Sequence, residues 1–219
     1  MIKAVLFDMD GILYDSECWY LEGTIDQLRA YGYAGPREAV YKTIGLDMDS
    51  NYDLLEKLLD YKVPRDVIIR GNEEYFNVLH PLDYKAIMFP GLPEELRKIR
   101  GMGIRTAVCS ASPMEIIRNS LDAMGIRDLF DFIETVENVS RPKPFGDIYE
   151  KAAEEIGVAK ADCIVYEDST LGIEAGKRAG MFTVAREDNR FMQDQSHADL
   201  IVKDIQELTE WIRRENTHA

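Results

Sequence analysis

The chain of 219 residues is poor in the features that zinc sites, disulfide scaffolds and membrane spans require. Cys18, Cys109 and Cys163 are an odd number at no metal-like spacing, and two of them fall inside apolar, strand-like runs, so they read as reduced core thiols. His80, His197 and His218 have no partner spacing for zinc. No apolar stretch approaches the roughly 20 residues of a membrane helix, and the N-terminal run Ala4-Val5-Leu6-Phe7 is too short for a signal peptide, which makes a cytoplasmic protein the expectation. Gly101-Met102-Gly103 has Thr106 where the third glycine of a dinucleotide fingerprint would stand. Asp47-Met48-Asp49-Ser50-Asn51 opens like a calcium loop, but Tyr52 and Leu58 occupy the positions that need glycine and glutamate. Positive charge is also scarce. Lysine and arginine number 26 against 40 acidic residues, for a net charge of −14, which repels nucleic acid and anionic membranes alike, so neither is an expected partner. A small phosphorylated substrate would meet the same repulsion unless its site supplied local positive charge, from a divalent cation and a lysine.

What the chain does contain is enough apolar residue, 46%, to bury a core. Ala4–Phe7 reads as a buried strand. After it the pattern changes to helical spacing for some sixty residues: Trp19, Leu21, Ile25, Leu28; then Tyr52, Leu55, Leu58, Leu59; then a third helix over 67–79. From Pro90-Gly91 onward, short apolar strands at 104–109, 132–136, 163–166, 182–185 and 200–202 alternate with helices at 92–100, 113–124, 146–157, 170–179 and 205–214. Near-continuous apolar strands separated by helices predict an α/β fold, a parallel sheet covered on both faces. The expected division is a core of 1–15 and 83–219 with an all-helical insert, 16–82, after the first strand. A monomer is the default expectation.

Ligands of open α/β sheets bind beyond the carboxyl ends of the strands, so the residues that follow each apolar run carry the argument. The first run is followed by Asp8-Met9-Asp10-Gly11, the second by Ser110-Ala111-Ser112, and the one at 163–166 by Glu167-Asp168-Ser169; the loop after 132–136 holds Arg141-Pro142-Lys143-Pro144. Taken singly, each has an ordinary reading as a helix cap or an exposed loop residue. Together they place four acidic groups on one edge, which would repel one another without a cation, and an all-oxygen set suits Mg²⁺ rather than Zn²⁺. Asp8 and Asp168 are the natural side-chain ligands, with a backbone carbonyl at Asp10 as a third. A bare carboxylate beside a phosphoryl group can act as nucleophile, the role that suits Asp8. A second carboxylate two residues on, Asp10, suits general acid–base work. Ser110 and Lys143 would hold phosphoryl oxygens.

These residues closely resemble the four ordered motifs of the haloacid dehalogenase superfamily over the whole chain. The flanking Asp15-Ser16-Glu17, Pro144-Phe145-Gly146-Asp147-Ile148-Tyr149 and Asp168-Ser169-Thr170-Leu171-Gly172-Ile173 resemble its β-phosphoglucomutase-like branch. The resemblance implies a Rossmann-like core with the 16–82 insert as a helical cap, Asp8 as nucleophile, Asp10 as acid/base, and Ser110, the Ala111 amide and Lys143 on the phosphoryl group. It implies Mg²⁺ on Asp8, Asp10 and Asp168, with Glu167 behind the metal. The implied activity is phosphatase action on a small phosphorylated metabolite, a sugar phosphate first, through an aspartyl-phosphate. The rivals are a β-phosphoglucomutase-type isomerase and a non-catalytic phosphometabolite-binding protein. Trp19-Tyr20 stand where the mutase would carry a cap histidine, Gly45-Leu46-Asp47-Met48 has no arginine for a distal phosphate, and Gly71-Asn72 replaces a lysine, with Arg70 adjacent; hydrolysis is the favoured reading. Tyr14 and Trp19, beside the junction with the insert, are candidates to line a substrate pocket.

Overall fold

The computed structural model describes residues 1–44, 48–191 and 193–217. Gly45-Leu46-Asp47, weighed above for its lack of arginine, and His218 lie outside the described residues. The chain forms two compact units, one of Met1–Asp15 with Tyr84–Ala219 and one of Ser16–Asp83.

The first unit is a six-stranded sheet: β1 (Ala4–Phe7), β2 (Arg105–Ser110), β3 (Phe132–Thr135), β4 (Cys163–Glu167), β5 (Phe182–Arg186) and β6 (Leu200–Val202). The spatial order is β3-β2-β1-β4-β5-β6, and every pairing is parallel. The fold is thus α/β and Rossmann-like. Side chains of a strand alternate between faces, and the core divides accordingly. Val5, Phe7, Val108, Ile164 and Tyr166 enter one apolar cluster with α4 (Leu92–Gly101), α5 (Met114–Met124) and α8 (Ile205–Thr217). Ala4, Leu6, Ala107, Cys109 and Val165 enter the other with α6 (Asp147–Glu155) and α7 (Thr170–Arg178). Cys109 and Cys163 are buried free thiols on that second face.

The second unit contains α1 (Ser16–Ala30), a 3₁₀ segment Arg37–Thr43, α2 (Met48–Leu58) and α3 (Arg65–Glu74). The single helix expected over 67–79 ends earlier: Tyr75–Leu79 is a π-helical turn, with His80 N–H bonded to Tyr75 O. Apolar spacing does not separate the two conformations, whereas Phe76 packing on Trp19 and Tyr20 at ring separations of 4.9 and 5.4 Å gives the wider turn its purchase. No helix among the described residues is long and apolar enough to cross a membrane.

Candidate active site

β1 lies at the point where the strand order reverses, flanked by β2 and β4, so the residues leaving these three strands share one edge. Asp8 follows β1 and is held in line by its N–H to Tyr166 O, 2.9 Å. The turn then reverses at Gly11, φ +75°, whose N–H bonds Tyr14 O. A Cβ on Gly11 would sit 2.1 Å from Asp168 Oδ2, so only glycine lets the first loop approach the carboxylate that follows β4 this closely.

Lys143 reaches the edge from the loop after β3. Its Nζ lies 2.5 Å from Asp8 Oδ1, 2.7 Å from Glu167 Oε1 and 3.3 Å from the Cys109 carbonyl. Asp8, Glu167 and Asp168, all buried, bring one oxygen each within 4.8 Å of one another. Glu167 is saturated: Oε1 accepts from Lys143 and Tyr149, and Oε2 from the Asp168 and Ser169 N–H groups and the Ser169 hydroxyl. Glu167 therefore holds the lysine against Asp8, while Asp168 brings a second carboxylate beside them.

The electrostatics follow from burial. Burial pushes the Asp8 carboxyl up to about 8, against the pull of Lys143 and with help from Glu167 and Asp10. Burial also works against charge on Lys143 and on Glu167, but Asp8 and then Glu167 hold the lysine well above its ordinary value, and the lysine keeps the glutamate below its own. One ammonium therefore does not neutralise the carboxylates gathered here, and the surplus fits a divalent cation with oxygen ligands.

Asp10 is not among the three clustered carboxylates. Its side chain hydrogen-bonds the Tyr14 hydroxyl, and Ser112 Oγ donates to it at 3.5 Å. Tyr14 is 1% exposed and packs against Tyr84, so it touches the site through Asp10 and not as an open pocket wall. Burial and the Asp10 charge raise its hydroxyl pKa. Trp19 sits in the helical unit among Tyr20 and Phe76. Ser110 closes β2, its Oγ accepting from Ser112 N–H at 3.0 Å, which shapes the turn that presents Ala111.

Three further residues, none of them assigned a role from the sequence, complete this edge. Tyr149, from α6, bonds Glu167 at 2.8 Å. Gly172 makes room for Glu167, since a Cβ there would fall 1.6 Å from Oε1. Arg186, at the end of β5, donates from Nε to Gly11 O at 2.6 Å and from Nη2 to Asp188 at 2.8 Å, under the Phe89 ring. Arg186 could have been flagged as a charge closing an apolar strand, in the way Glu167 closes β4; Tyr149 and Gly172 stand in flanking phrases that resemble the branch, which gave them no role of their own.

The family model for haloacid dehalogenase-like hydrolases matches residues 5–186. Hexitol phosphatase B of Escherichia coli (strain K12) is 28% identical over 217 residues, covering 95% of each chain. The beta-phosphoglucomutase of Bacillus subtilis (strain 168) is 26% identical over 217 residues, covering 95% of this chain and 92% of its own. A HAD family hydrolase from Deinococcus radiodurans R1, solved with bound phosphate and sodium, has a TM-score of 0.84 at 25% identity, covering 97% of this chain and 96% of that one. The protein is thus a hydrolase of phosphoric monoesters. It belongs to the haloacid dehalogenase-like hydrolase family.

Proposed function

We propose that the chain is a Mg²⁺-dependent phosphatase of small phosphorylated metabolites, sugar phosphates foremost, acting through an aspartyl-phosphate on Asp8. The observation that carries this reading is the Lys143 ammonium fixed between Asp8 and Glu167, with Asp168 within 4.8 Å of both carboxylates. The relatives named for phosphatase action on a hexitol phosphate and for phosphoglucomutase action support sugar phosphates as the first class to test.

Asp8 and Asp168, with the Asp10 carbonyl, would hold the cation, which supplies charge neutralisation at the phosphoryl group. The Asp8 carboxylate attacks phosphorus in line, and the bond from phosphorus to the ester oxygen breaks with its electron pair on that oxygen. Asp10 gives its proton to the departing alkoxide. The resulting Asp10 carboxylate then takes a proton from water, whose oxygen attacks phosphorus; Asp8 leaves as carboxylate and inorganic phosphate forms. Ser110, the Ala111 amide and Lys143 hold the phosphoryl oxygens through both transfers. Tyr14 fixes the Asp10 side chain by its hydroxyl. The helical unit, inserted between β1 and the remaining strands, serves as the cap that selects the organic leaving group, with Trp19 as a contact.

Phosphate release from a panel of sugar phosphates, with and without Mg²⁺, tests the reading. Asp8→Asn, nearly isosteric, is expected to keep the fold by circular dichroism and lose turnover by a factor of about 10⁴ or more. An Asp8→Asn enzyme of full activity sinks the nucleophile assignment. A wild-type chain that binds Mg²⁺, interconverts β-glucose 1-phosphate and glucose 6-phosphate, and releases little phosphate is the mutase instead.

A further inference from the structure

Gln195 lies in the loop between β5 and β6, outside every motif of the site, yet it is 8% exposed and both ends of its amide are hydrogen-bonded at the catalytic edge. Its Nε2 donates at 2.7 Å to the backbone carbonyl of Asp168 and at 2.7 Å to that of Arg186. Its Oε1 accepts from Asp188 N–H at 3.3 Å. An amide has two N–H donors and one oxygen, and here each has a backbone partner. Arg186 in turn grips the Gly11 carbonyl, and Gly11 lies against the Asp168 carboxylate without room for a methyl group. The contacts form a closed circuit: Asp168 carbonyl to Gln195, Gln195 to Arg186, Arg186 to Gly11, and Gly11 back to the Asp168 carboxylate. It ties the ends of three neighbouring strands, β1, β4 and β5.

We infer that Gln195 is a positioning residue for the cation site, setting the Asp168 carboxylate against the Asp8–Gly11 turn. The inference rests on the reading of Asp8, Asp10 and Asp168 as the Mg²⁺ ligands. Two ligands on different strands make a tight site when their separation is fixed before the ion arrives, and the circuit fixes it through side-chain hydrogen bonds to three backbone carbonyls. A glutamate at this position would lack both donors, and an asparagine is too short to reach two carbonyls and an N–H together. Gln193 is the contrasting neighbour. Its Oε1 accepts from Thr170 N–H and Oγ1 and so caps α7.

The test is calorimetric titration of the purified chain with Mg²⁺ alone, alongside thermal unfolding in EDTA. Gln195→Met keeps the length of the side chain and removes its hydrogen bonds; it is expected to raise the Mg²⁺ dissociation constant about 10- to 100-fold, with turnover recovered at saturating Mg²⁺. Gln193→Met is expected to lower the unfolding temperature while leaving the Mg²⁺ constant unchanged. Should Gln195→Met fail to fold, Gln195→Asn keeps the amide and is expected to weaken Mg²⁺ in the same direction. Unchanged Mg²⁺ affinity in the folded Gln195 variant, or equal weakening by Gln193→Met, overturns the inference. A wild-type chain that takes up no Mg²⁺ overturns the metal reading itself, and this inference with it.

Discussion

Buried charge at the catalytic edge is of two kinds, and they answer differently to acid. Lys143 lies among carboxylates that outnumber it, whereas Asp188 lies between two arginines: Arg186 at 2.8 Å and Arg190 at 2.6 Å. Burial alone would raise the Asp188 pKa, but hydrogen bonds from Arg190 and Arg186 outweigh it and hold the carboxyl below its ordinary 3.8. A depressed folded-state pKa contributes stability above the unfolded value, and that stability is lost as pH falls through the folded one. Asp188→Asn should therefore cost about 3 kcal/mol near neutral pH, because it strands the buried Arg186, and the deficit should shrink as pH drops below 3.8. Urea unfolding of both proteins over that range checks this, and a deficit that stays constant at acid pH contradicts it. Asp188 also shows where sequence reading stops. Asp8, Lys143 and Asp168 are legible because each follows an apolar run or stands between prolines. Arg186 and Gln195 acquire their roles only from partners 175 and 27 residues away, and in the sequence Gln195 is one polar residue in a polar loop.

At the scale of the element, α7 shows a glycine kept for a neighbour's sake. Glycine inside a helix weakens it relative to alanine, so exchange usually stabilises. Gly172 lies in the first turn, where Ser169 Oγ caps its N–H at 3.1 Å and the Glu167 carboxylate fills the space a Cβ would take. Gly101, the last residue of α4, has nothing within 4 Å of that space. Gly101→Ala should therefore stabilise by about 0.5 kcal/mol. Gly172→Ala should destabilise by about 2 kcal/mol and displace Glu167 from Lys143. Denaturant midpoints of the two variants moving in the same direction would contradict the argument. The elements themselves were largely legible, since parallel strands buried on both faces appear as apolar runs. The π turn at Tyr75–Leu79 was not, because its aromatic packing joins residues more than fifty positions apart in the chain.

At the scale of the whole molecule, strand–helix alternation announced a parallel sheet but left its order open, and it is the order, with β2 and β4 on either side of β1, that gathers the site. A short pairing outside that sheet shows why so large a helical insertion is tolerated after β1. The two segments joining the units pair with each other: Tyr14 bridges Met88 antiparallel, Asp15 N–H bonds Ile87 O at 3.0 Å, and Phe89 N–H bonds Leu13 O at 3.1 Å. Antiparallel partners lie only about 5 Å apart, so removing the helical unit leaves Asp15 bonded to Ile87, three residues from the other end at Tyr84. Every residue assigned to the phosphoryl and cation sites belongs to the unit of Met1–Asp15 and Tyr84–Ala219. Replacing 16–83 by a two-residue Asn-Gly link should therefore leave a core that unfolds in one cooperative transition and binds Mg²⁺ as the full chain does. If the helical unit selects the leaving group, that core should hydrolyse a small aryl phosphate while losing its preference among sugar phosphates. Retained preference would move selectivity into the core; failure of the core to fold would show that its stability depends on the inserted helices and not on the paired segments alone.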